Sequence, residues 1–133
     1  MPRCRFVEPV VTRLALTEGD WIEVKRDLNT GEQRAMFVAM RTRYAPGEMP
    51  MVNPQMVTTA RLLAYLVAWS FRDQNDKPVE VSAGAIDSLD TRTFNELRDA
   101  LDAHEAARDR ELDEQKKTLS TPTVSDPTLQ SVA

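Results

Sequence analysis

Few residues in this chain of 133 have the type and spacing to do chemistry. The single histidine, His104, lies next to Asp102 and Glu105. A carboxylate-oriented imidazole can act as a general base. No nucleophile is placed to use it, so His104 reads as a helix-surface histidine among charges. The single cysteine, Cys4, cannot close an internal disulfide and points to no oxidising compartment. One histidine and one cysteine do not make a structural zinc site. Asp73, Asp76 and Glu80 fall in the run DQNDKPVE, which lacks the glycine and the spacing of a calcium loop. The four glycines are too scattered to cradle a phosphate. The expectation is a protein that binds rather than catalyses, with no catalytic, cofactor or metal residues.

The methionines are more informative. There are six, and apart from Met1 all lie between Met36 and Met56. Methionine is flexible and polarizable, so methionine-rich surfaces adapt to varied partners. Met36, Met40 and Met56 read first as side chains that fill gaps in a core. Met49 and Met51 fall in the Pro-rich run YAPGEMPMVNP, where apolar side chains are unusual unless they meet a partner or fold back onto the core. The candidate partner-binding residues are Met36, Met40, Tyr44, Met49 and Met51.

Composition bounds the rest. Hydrophobic residues make up 41% and charged residues 29%, enough for a single core. The net charge of −4 argues against a general affinity for nucleic acid, which needs a concentrated basic face. The opening MPRCRFVEPVV lacks the apolar core of a signal peptide. The longest strongly apolar run, Leu62 to Trp69, is far shorter than the roughly 20 residues of a membrane span. A cytoplasmic protein is expected.

Several elements must position these residues. VTRLAL and WIEVKRDL alternate as strands around TEGD, which predicts a hairpin over about 11–28, with Gly19 at positive φ. In the second strand Ile22 and Val24 share one face, and Trp21, Glu23 and Lys25 the other. Thr30 and Gln33 form a capping-box pattern for a helix over 31–43, with Met36, Phe37 and Met40 as its stripe and Val38 widening it. Pro46 and Gly47 stop it. Asn53 and Pro54 open a helix over 54–69 that is apolar on most sides and is therefore expected at the centre of the core. SFRDQNDKPVEV reads as a second, weaker hairpin. Ser82 caps a short helix in AGAIDSL, and Asp90 caps the last helix, with Phe94, Leu97 and Leu101 on one face. Beyond Leu101 that helix becomes charged, with pairs such as Arg110 and Glu114 four apart. The fold class is mainly α with small β-hairpins (α+β): a single compact helical domain over 1–117 and a disordered, flexible C-terminal tail over 118–133.

The run LTEGDWIEVKRDLNTGEQRAMF resembles the opening of the tail assembly chaperones of long-tailed siphophages. LLAYLVAWSFRDQNDKPVEVS and AIDSLDTRTFNELRDALDAHEA follow in the order that family shows, so the resemblance spans about residues 14–107. It implies a chaperone in the host cell cytoplasm that binds the tape measure protein, keeps it soluble while the tail tube assembles around it, and is absent from the finished virion. Further partners in that picture are the tail tube protein and a second copy of the chain. Many genes of this kind also give a longer product by ribosomal frameshifting. The alternative is a structural virion protein of the tail or neck. The physical reading is compatible, because a holdase needs adaptable apolar surface and net charge rather than an active site.

Overall fold

The computed structural model describes residues 4–41 and 53–124, with side chains through residue 117. The chain divides into two compact units, Met1–Ala100 and Leu101–Ala133. The fold class is α+β, mainly helical with one small antiparallel sheet.

In the first unit the predicted hairpin forms. Strand β1 (Val11–Ala15) pairs antiparallel with β2 (Trp21–Lys25), Leu14 lying opposite Ile22. A 3-10 turn, Thr17–Gly19, joins them. Gly19 takes φ 79°, as expected, and Glu18 beside it also takes a positive φ of 58°. Ile22 and Val24 are fully buried, while Trp21, Glu23 and Lys25 on the opposite face are only partly so.

Helix α1 (Thr30–Ala39) begins one residue earlier than the capping pattern predicts. The cap is Asn29, not Thr30: its Oδ1 accepts from Glu32 N–H at 2.8 Å, and Glu32 Oε1 accepts from Asn29 N–H at 3.0 Å. Asn is as good a cap as any residue, and Glu32 at the third helical position closes the box. Glu32 is also bonded to Lys25 on β2, which ties the helix to the sheet.

Helix α2 (Pro54–Tyr65) starts as predicted, with Asn53 Oδ1 accepting from Gln55 N–H at 3.0 Å and proline in the first turn. It does not run to residue 69. Leu66–Trp69 is instead strand β3, antiparallel to β2, and the sheet order is β1-β2-β3. The cause of the misreading is a bulge. Val24 pairs with Leu66, Glu23 with Ala68 and Ile22 with Trp69, so one extra residue sits in β3. An inserted residue puts side chains three apart on one face of a strand. Leu66 and Trp69 are both buried, at 7% and 8% exposure. That spacing is also a helix spacing.

The expected central helix is likewise corrected. α2 buries Thr58, Ala60 and Leu62 but leaves Met56 and Leu63 exposed. The core of the first unit is built on the inner sheet face, from Ile22, Val24, Leu66 and Trp69, with Leu62, Ile86 and Leu97. The first hairpin thus supplies part of the core, and α1, which contributes no buried residue, packs on α2. The second predicted hairpin reduces to a turn with a single bridge, Arg72 to Pro78. Asp73 Oδ1 holds that turn by accepting from the N–H groups of Asn75 and Lys77 at 2.8 and 3.0 Å. Helix α3 (Ala83–Asp87) is capped by Ser82, whose Oγ accepts from Ala85 N–H at 3.1 Å.

Helix α4 spans Thr91–Val124, and residues 101–124 fall in the second unit. Asp90 caps it as predicted: Oδ1 accepts from Thr93 N–H at 2.8 Å and Oδ2 from the Thr93 hydroxyl at 2.9 Å. Within the second unit Leu101 and His104 are buried, whereas residues 109–117 are exposed all round. The buried position of His104 corrects the expected surface site. His104 stands at helix spacing from Leu101, the other buried residue among those described in this unit, a pattern that its charged neighbours obscured. The backbone helix extends through Val124, into the segment assigned to the tail; residues 125–133 lie outside the described residues.

Candidate partner-binding surface

The residues that carry the family resemblance turn out to hold the fold together. Ser70 stands where β3 ends, and its Oγ accepts from Trp21 N–H at 2.9 Å and donates to Asp20 Oδ1 at 2.8 Å. Ser70 N–H donates to Trp21 O at 3.0 Å, so the Asp20-Trp21 and Trp69-Ser70 pairs are latched to each other. Trp69 Nε1 donates to Val79 O at 2.6 Å, which brings the Lys77-Pro78-Val79 run against the same strand. Glu96 on α4 accepts from Thr17 N–H at 2.8 Å and from the Thr17 hydroxyl at 3.2 Å. A carboxylate bonded to a backbone amide in this way anchors the tight turn between β1 and β2. On the outer sheet face Arg13 stacks over Trp21 at 3.9 Å and pairs with Glu23 at 3.4 Å. These polar groups meet one another, so their chemistry is architectural.

Two further carboxyls are similarly occupied. The bond from Lys25 and the Asn29 amide hold the Glu32 carboxyl below the usual carboxylate range. The Thr93 amide and hydroxyl lower Asp90 in the same sense. Among the described residues no group of three or more His, Cys, Asp or Glu side chains could hold a metal ion. No described helix is long and apolar enough to cross a membrane.

Several large apolar side chains stand exposed, Phe6, Val11 and Val67 among them, and four lie on α1 and α2. On α1, Phe37 is 54% exposed and Val38 56%. On α2, Met56 is 38% exposed and Leu63 40%, and the two lie seven residues apart, on one helix face. Among the predicted contact residues, Met36 and Met40 are half-buried and share the opposite side of α1 from Val38. Tyr44, Met49 and Met51 lie outside the described residues. Met56, offered as a core filler, is exposed. The structure thus brings forward Phe37, Val38 and Leu63, which the sequence reading placed in a stripe or in the core. A signal was present. At 100° per residue, Met36, Phe37 and Val38 fan over about 200° of α1, more than a single neighbouring helix covers.

A groove of about 280 Å³ lies beside Met56, lined by the apolar Met56, Ile86, Leu89 and Phe94 together with polar residues that include Asn53, Thr59 and Asp87. It joins the first turn of α2 to α3 and the start of α4.

Comparison with protein-family models, with curated proteins and with solved structures finds no match to this chain.

Proposed function

We propose that this protein is a bacteriophage tail assembly chaperone, a binding protein rather than an enzyme, that holds the tape measure protein soluble in the host cytoplasm while the tail tube forms. The observation that carries this reading is that α1 and α2, which pack on each other, leave Phe37 and Val38 on one helix and Met56 and Leu63 on the other in solvent. Apolar side chains left exposed on helices are what an amphipathic helical client can cover. Flexible Met56 among them suits a surface that meets successive, different stripes along a long client. The order of the sequence blocks that resemble those of siphophage chaperones supports the same reading, and in this chain those blocks are bonded to one another.

A structural role in the tail or neck would use the same surface permanently. Mass spectrometry of purified virions separates the two. A chaperone is absent from the finished particle although abundant in the infected cell. Stoichiometric amounts in the virion would overturn the proposal in favour of a structural component.

A further inference from the structure

We draw no further inference here: the strongest candidate, the groove of about 280 Å³ between the first turn of α2, α3 and the start of α4, lined by Met56, Ile86, Leu89 and Phe94, carries nothing because no feature of the structure shows what covers it.

Discussion

Ser70 is the residue on which the sheet closes. Its hydroxyl accepts the Trp21 amide and donates to Asp20, and both contacts are partly buried. Removing the hydroxyl leaves a partly buried amide short of an acceptor, which costs about 1–3 kcal/mol. Ser70→Ala should therefore lower stability by that amount in urea titration, and a loss below about 0.5 kcal/mol would show that water replaces the hydroxyl without penalty. Leu66 makes a second test at this scale. It is buried at 7% exposure, and truncating a buried leucine costs about 2–5 kcal/mol. Leu66→Ala is expected in that range, and a cost under about 1 kcal/mol would place Leu66 outside the core. The sequence made the burial of Leu66 legible but not its reason. Its apolar neighbours pointed to a helix, whereas its partner is Val24 across a bulged strand pair.

At the level of elements, starts were more legible than ends. Asn53, Ser82 and Asp90 cap the helices that the sequence assigns to them, because a short polar side chain before an apolar run has one local use. The end of α2 was illegible because it depends on a distant strand. Leu66–Trp69 leaves the helix to pair with β2, and no local residue announces it. The cap of α1 was misplaced by one residue, between two acceptable capping types. The two assignments separate by substitution. Asn29→Ala should cost about 0.5–2 kcal/mol, and Thr30→Ala only a few tenths; equal costs would contradict the Asn29 cap. The same box gives a pH dependence. The Glu32 carboxyl is held below its ordinary range by Lys25 and by the Asn29 amide, so its folded value lies under its unfolded one. Its contribution is then complete above the ordinary glutamate range and is lost as pH falls through the folded value. Acid titration of Glu32→Gln should show a shallower loss of stability below that range than the parent chain, and parallel curves would refute the linkage.

For the whole molecule, the central claim is that apolar surface is kept open for a helical client. The sequence located this surface only in part. It chose methionines on the ground of flexibility, and two of these, Met36 and Met40, are half-buried on α1. The neighbours Phe37 and Val38 are the open ones, because α1 turns only one side toward α2 and its apolar residues occupy more than one side. Among the described residues, Asp20, Trp21, Trp69 and Ser70 are engaged with one another across the sheet. The most direct measurement is co-expression with the tape measure protein, comparing the parent chain with Phe37→Ser combined with Val38→Ser. Both side chains are more than half exposed, and exposed substitutions usually change stability by less than about 0.5 kcal/mol. The account predicts that the parent chain keeps the tape measure protein soluble and co-purifies with it. The double variant should keep its own thermal midpoint yet lose most of the soluble complex. A double variant that folds and holds the tape measure protein as well as the parent does would contradict the assignment of this surface, and a parent chain that neither binds it nor keeps it soluble would contradict the function itself.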